Sequence, residues 1–226
     1  MSETSTTAGG DVEATVSRRR RHTRERLLDA AFDLFADEGV DATSIEAVCE
    51  HAGFTRGAFY SNFDSKYALL LDLAAREHRR RLRELRDALA VAQADCARGS
   101  AVDVDAMARF LEILLERISD DRRWRVISAE LTLLAMRQPD IARHHHDLDR
   151  QMTDEVADEI ERLMPTLGRR LVLPARQVLR VLAAGYLADL NAADLSGDPQ
   201  PAARARAEAA TWLPTVAERL TLPVGL

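Results

Sequence analysis

The sequence predicts an all-α chain: a small N-terminal head of three helices, the last two forming a helix-turn-helix, followed by a larger helical body. Three observations lead there. Apolar residues recur at helical spacing through most of the 226 residues. Ala, Leu, Arg and Glu abound while Gly and Pro number only 10 and 7, a balance that favours helix. Between Thr43 and Lys66, two short apolar-periodic segments are split by Ala52-Gly53-Phe54, which reads as helix, tight turn, helix.

Composition narrows the function. The chain is 46% hydrophobic but 5% aromatic, with a net charge of −6, so it is no general nucleic-acid coat and any DNA binding must rest on local patches. Cys49 and Cys96 lie far apart with no metal-like spacing, which fits a reduced protein better than a disulfide framework. No apolar run is long enough to cross a bilayer. The N-terminal arginines lack an apolar stretch behind them, because Asp29 and Asp33 interrupt it. The expectation is a cytoplasmic chain without a signal peptide or membrane partner.

Residues 1–22 are expected to be a disordered arm ending in the basic run Arg18–Arg21, with Arg24 and Arg26 close behind. Such an arm can enter a minor groove or hold phosphate; a solvated charge run is the plainer reading. The first helix runs from Thr23 to Asp37 on the stripe Leu27, Leu28, Ala31, Leu34 and Phe35, and Gly39 stops it. Thr43 and Glu46 have the spacing of a capping box that opens the second helix. Gly53 suits the positive φ that ends it, and Thr55 opens the third.

The helix-turn-helix divides by face. Ile45, Val48, Phe59 and Phe63 fall where the two helices meet; Thr55, Arg56, Gly57, Tyr60, Ser61 and Asn62 stay outside. The outer face has donors, a small residue and no acid. It suits a DNA major groove, with Arg56 reading guanine, Asn62 adenine, and Tyr60 and Lys66 on phosphates. It equally suits the solvated outside of two packed helices, and face division alone leaves both open. Eight basic and nine acidic residues over Arg18–Lys66 give the head a net charge of −1, so its positive groups are local. Lys66 is the only lysine of the chain, a scarcity that a codon bias of the genome explains.

A long helix follows from near Ser65 to about Ala94, with Leu69, Leu70, Leu73 and Ala74, then Leu82, Leu85 and Leu89, on its apolar stripe. Arg79–Arg81 are expected on a solvated face. After a loop at Arg98-Gly99-Ser100 come three more stripes. Met107, Phe110, Leu111, Leu114 and Ile118 form the first; Trp124, Ile127, Leu131 and Leu134 the second; Ile141, His145, Leu148, Met152 and Val156 the third. Stripes of this kind mean core.

His144-His145-His146 invites a metal, but neighbours on a helix point about 100° apart and cannot converge on one ion; no metal site is expected. Cys49 reads as a small buried filler. Pro165 and Pro174 bracket a turn. The helix Pro174–Asp194 has almost no polar face, so it must be covered on both sides. With Pro201–Leu220 it is expected to form a homodimer interface built as an intermolecular four-helix bundle; burial within one subunit is the other reading. There is no convincing nucleophile–base pair and no Gly-rich phosphate loop, so neither an enzyme nor a cofactor is expected.

The run RERLLDAAFDLFADEGVDATSIEAVCEHAGFTRGAFYSNFDSKYALLLDL resembles the N-terminal head of the TetR family of transcriptional regulators. The marks are Phe35-Ala36-Asp37-Glu38-Gly39, Thr43, Ala52-Gly53, Gly57, Tyr60, Phe63 and Ser65-Lys66, within about a fifth of the chain. The resemblance implies a head at 23–66 and a ligand-binding, dimerising body at 67–226. It implies a repressor released from a palindromic double-stranded DNA operator by a small-molecule effector. By match it places Thr43, Thr55, Arg56, Gly57, Tyr60, Asn62 and Lys66 at DNA. It further implies an effector cavity among the body stripes, for which Met107, Phe110, Trp124, Leu131, His145 and Met152 are the candidate wall. Asn62 stands where the family often has His. Asp64 departs from the family's Pro, Gly or Lys and is placed to cap the next helix. That acid and the −1 head keep an alternative in view: an interaction adaptor on the same fold without DNA binding.

Overall fold

The computed structural model describes residues 7–96, 111–116 and 121–224. Helices α1 (Thr7–Glu38), α2 (Ile45–Ala52), α3 (Arg56–Tyr60) and α4 (Lys66–Cys96) come first. Then follow α5 (111–116), α6 (Arg122–Arg137), α7 (Pro139–Leu163), α8 (Ala175–Leu195) and α9 (Pro201–Leu220). A two-stranded antiparallel ribbon, β1 (Arg169–Leu171) and β2 (Thr221–Pro223), completes the described chain. The all-α expectation holds; the ribbon was not anticipated. Its register pairs Arg169 with Pro223 and Leu171 with Thr221, and three residues per strand are too few for a period-2 pattern to stand out.

The fold divides into two compact units. The first is Met1–Arg76 with Arg123–His145; the second is Glu77–Arg122 with His146–Leu226. This division is drawn differently from the one expected between residues 66 and 67.

In the first unit α1, α2 and α3 close on a core of Leu27, Leu28, Ala31, Phe35, Val48, Phe59 and Phe63, all buried. α1 starts well before Thr23, so Arg18–Arg21 stands on helix and not on an extended arm. No Gly or Pro lies between Asp11 and Glu38, and the Arg- and Ala-rich segment has high helix propensity. Gly39 ends α1 at φ 91°, and its missing side chain is needed twice. A Cβ there would lie 3.0 Å from Oε1 of Glu130, whose Oε2 accepts the Val40 N–H at 2.6 Å. Arg123 bridges Asp33 at 3.0 Å and Asp37 at 3.5 Å, and stacks 5.1 Å from the centre of the Phe32 ring. α6 is therefore joined to the α1–α2 corner by one buried-end hydrogen bond and one ion-pair cluster. Replacing Glu130 by Ala leaves the N–H of fully buried Val40 without its acceptor, an expected loss of about 1–3 kcal/mol, checked by the urea midpoint of unfolding. An unchanged midpoint would show that water replaces the carboxylate at no cost.

The second unit has its own core. Leu82, Leu85 and Leu89 of α4, Leu114 of α5, Val156 and Ile160 of α7, Leu182, Tyr186 and Leu190 of α8, and Ala209 and Leu213 of α9 form one buried cluster. α9 lies along α8 through small residues, Ala205, Ala209 and Ala217, all 1% exposed or less. The ribbon fastens the end of α9 to the α7–α8 connection: Val172 N–H donates to the Leu220 carbonyl at 2.9 Å, and Arg169 Nε to Thr221 Oγ1 at 2.7 Å. The solvated face expected for Arg79–Arg81 is corrected at Arg81. That residue is buried and donates to Glu77 at 2.9 Å and Asp121 at 3.1 Å, while Arg80 bridges Glu77, Glu84 and Asp121. Burial holds the Arg81 guanidinium below its ordinary value, against the pull of Glu77. Charge on the helix surface was legible; the acid arriving from 40 residues away was not.

Candidate nucleic-acid interface

α2 begins one residue later than a Thr43 cap requires. Thr43 still closes the preceding turn: its N–H and its hydroxyl both donate to the Gly39 carbonyl, at 3.2 and 2.7 Å, and the side chain is 1% exposed. The cap is Ser44, whose Oγ accepts the Ala47 N–H at 3.1 Å. Thr43 thus presents no side chain to a DNA surface, and the hydroxyl exposed at this corner belongs to Ser44. Gly53 ends α2 at φ 73°, with its N–H on the carbonyls of Cys49 and Glu50, as the turn demands. Thr55 caps α3 through the Ala58 N–H at 3.3 Å.

The division of faces is as the sequence suggested, but the outer face is not free of acid: Glu46 of α2 stands on it beside Arg56. Val48, Phe59 and Phe63 are buried, Ile45 half so, and Thr55, Arg56, Gly57, Tyr60 and Ser61 are exposed. Arg56, the first residue of α3, stands over the Tyr60 ring, 5.9 Å from its centre, and pairs with Glu46 at 2.9 Å. A hydrogen bond with Tyr60 and the charge of Glu46 raise its guanidinium above the ordinary value. A Cβ on Gly57 would meet only Thr55 Oγ1, at an ordinary 3.7 Å. Among the described residues nothing needs a glycine there.

Other candidates are engaged within the fold. Asn62 is half-buried and gives its amide to the Ala58 carbonyl at 2.8 Å, with Oδ1 buried and unpartnered. Lys66 donates to the carbonyls of Thr43 at 2.8 Å and Asp41 at 3.2 Å, leaving one of its three donors. Asp64 does not cap α4; Ser65 does, accepting the Ala68 N–H at 3.0 Å.

Arginines of α1 hold the free carbonyls at the ends of the two short helices. Arg20 reaches Ser61, Arg24 reaches Asn62 at 3.0 Å, and Arg26 reaches Ala52 at 3.1 Å. Cations belong at such ends, where carbonyls concentrate negative potential. Arg24 also pairs with Asp72 at 3.0 Å and covers the Phe63 ring at 4.4 Å. Arg18, Arg19 and Arg21 remain exposed on α1. Sequence reading took the run as one patch. Its i, i+4 split into Arg20 and Arg24 on one side was the available signal for a structural role.

Of the expected effector wall, Trp124 and Leu131 are buried in the first unit. His145 is half-buried there, with Nε2 3.3 Å from Thr132 Oγ1 and Nδ1 buried without a partner. Met152 belongs to the second unit, against its core. Met107 and Phe110 lie outside the described residues, as does the Arg98-Gly99-Ser100 loop. His144 and His146 are exposed, and His144 Nδ1 lies 2.9 Å from the Asp140 carbonyl, so the three imidazoles face different surroundings. Cys49 is buried; burial and the charge of Glu46 push its thiol up, against Arg56, the reverse of what a redox sensor needs.

Residues 27–73 match the family model of the bacterial regulatory proteins of the tetR family. The transcriptional regulator UidR of Escherichia coli K12 is 25% identical over 180 residues, 77% of this chain and 84% of that one. Two solved structures share the fold. FadR from Bacillus subtilis, in complex with stearoyl-CoA, has a TM-score of 0.61 at 12% identity, over 85% of this chain and 97% of that one. SmeT, the repressor of the Stenotrophomonas maltophilia multidrug efflux pump SmeDEF, has a TM-score of 0.56 at 23% identity, over 88% and 90%. The tetR-family model thus falls on the helix-turn-helix of this chain, and the fold of the two solved structures extends over most of its length.

Proposed function

We propose that the protein is a homodimeric transcriptional repressor that holds a palindromic DNA operator through α3 and is released by a small-molecule effector. The observation that carries this reading is the exposed face of α3, where Arg56, Tyr60 and the Thr55 and Ser61 hydroxyls surround a glycine that nothing among the described residues requires. A helix N-terminus with that chemistry fits the major groove, where an arginine takes the two acceptors of a guanine. Arg18, Arg19 and Arg21 are then available to phosphates. Lys66, with one donor left, is assigned to a phosphate beside the α1–α2 corner. The −1 balance of the head makes the affinity depend on these few placed groups.

Dimerisation is supported by α8. Val181, Ala184, Gly185, Ala188, Ala192 and Leu195 are exposed on it in the single chain, Val181 by 62% and Leu195 by 90%. That is an apolar stripe at helical spacing, exposed among the described residues. The effector reading has narrower support: the unpartnered Nδ1 of His145 beside Thr132, and two proteins that share the fold, SmeT, a repressor, and FadR, in complex with stearoyl-CoA. Effector binding then acts as a population shift toward a body in which head spacing no longer fits the operator. Among the described residues, no helix is long and apolar enough to cross a membrane.

Gly57→Ala separates structure from function. It is expected to stabilise the free protein by about 0.5–1 kcal/mol, since alanine is the better helix former, and to weaken DNA binding about tenfold by filling the space where DNA approaches. The thermal midpoint and the dissociation constant for a selected duplex read the two effects. The reading itself is tested by selecting bound duplexes from random DNA. An inverted repeat with half-sites about one helical turn apart, roughly 34 Å, is the expected product; absence of any enriched duplex would favour the adaptor reading.

A further inference from the structure

We propose that Glu46 determines specificity: it holds Arg56 in reading position and disfavours the base edges that Arg56 does not read. This rests on the base-reading role given to Arg56 above. Glu46 lies in the first turn of α2 and Arg56 is the first residue of α3, so their 2.9 Å ion pair bridges the two helices of the motif at its outer face. The pair has little structural value. Both side chains are more than half exposed, 57% and 62%, and such pairs add little to stability. α2 is already capped by Ser44, and Val48 of α2 and Phe59 of α3 are both fully buried.

What the pair does is order a side chain that would otherwise be mobile. An arginine has many rotamers, and fixing it on binding opposes affinity. Here the guanidinium lies between the Glu46 carboxylate and the Tyr60 ring before any DNA arrives. The Glu46 carboxylate lies 2.9 Å from Nη1 as an ion pair, and a guanidinium has five N–H groups. An edge therefore remains for the N7 and O6 acceptors of guanine.

The carboxylate also acts on its own account. It repels acceptors such as guanine O6 and thymine O4 at the neighbouring step, and is satisfied by an amino group such as cytosine N4. Its charge opposes the phosphates and lowers affinity for every duplex. Affinity for random DNA is thereby held down while discrimination at one step is raised, a recognised use of a repulsive element in specificity.

The test uses full-length protein, the duplex selected by the wild type, its single-base variants, and a random duplex, all followed by fluorescence anisotropy at several salt concentrations. Glu46→Gln keeps size and helix propensity. It is expected to bind the random duplex about two- to fivefold more tightly and to lose discrimination at the Arg56 step by about five- to twentyfold, with distant steps unchanged. In the double variant with Arg56→Gln, the Glu46 effect on that step is expected to vanish. If Glu46→Gln shifts all duplexes by one common factor while Arg56→Gln relaxes a single step, the Glu46 proposal is overturned and the role of Arg56 stands. If Arg56→Gln leaves every step as it was, both fall.

Discussion

Val181→Glu is expected to turn the protein into a folded monomer. In the single chain Val181 is exposed on α8, so the protomer tolerates a carboxylate there. In a two-fold interface through α8 and α9 the same residue is buried in both copies, and each buried, uncompensated charge costs several kcal/mol. The dimer dissociation constant should rise by at least about a thousandfold, since each 1.4 kcal/mol is a factor of ten. Circular dichroism should be unchanged while sedimentation equilibrium gives one protomer at micromolar concentration. Operator binding should fall with it, because each half-site is then bound alone. A variant that sediments like the wild type would show that α8 is not the interface.

Arg56→Gln carries the second large effect. A bidentate arginine–guanine pair gives about 1–3 kcal/mol of discrimination, so affinity for the selected duplex should fall roughly ten- to a hundredfold. Affinity for that duplex changed at the guanine step should fall far less. The free protein should keep its stability, because the only ion pair that Arg56 makes among the described residues is the exposed one with Glu46. A loss of the same size for every sequence would place Arg56 on a phosphate instead.

The motif was legible because its signals are local. Gly53 ends α2 at positive φ, Thr55 caps α3, and the alternation of Val48, Phe59 and Phe63 against Arg56, Gly57 and Tyr60 fixes which face is free. Helical periodicity was enough to find the stripes of Trp124, Ile127, Leu131 and Leu134, all of which are buried. What could not be read was pairing at a distance. Glu130 meets Val40 across 90 residues, Asp121 meets Arg81 across 40, and Arg24 meets Asn62 across 38. Each of these charged groups looks the same in sequence whether it faces water, a backbone end or a phosphate.

Cap placement failed for a related reason. Thr43 and Ser44 are both good caps, and the choice between them was made by Gly39, whose carbonyl takes the Thr43 hydroxyl and so draws that side chain inward. Charge and the family resemblance both point Lys66 to a phosphate. Its ammonium holds the Thr43 and Asp41 carbonyls, so it also maintains the corner from which α2 starts. Two demands on one residue are invisible until the corner is built.

A dimer that reads sequence through α3 is tested most directly by one ratio. It is the dissociation constant for a scrambled duplex divided by that for the selected inverted repeat, at 0.15 M salt, with protomers per duplex measured in the same samples. A specific regulator should give at least about a thousandfold, with two protomers on each repeat. A ratio below about ten, or one protomer per duplex at saturation, would contradict it.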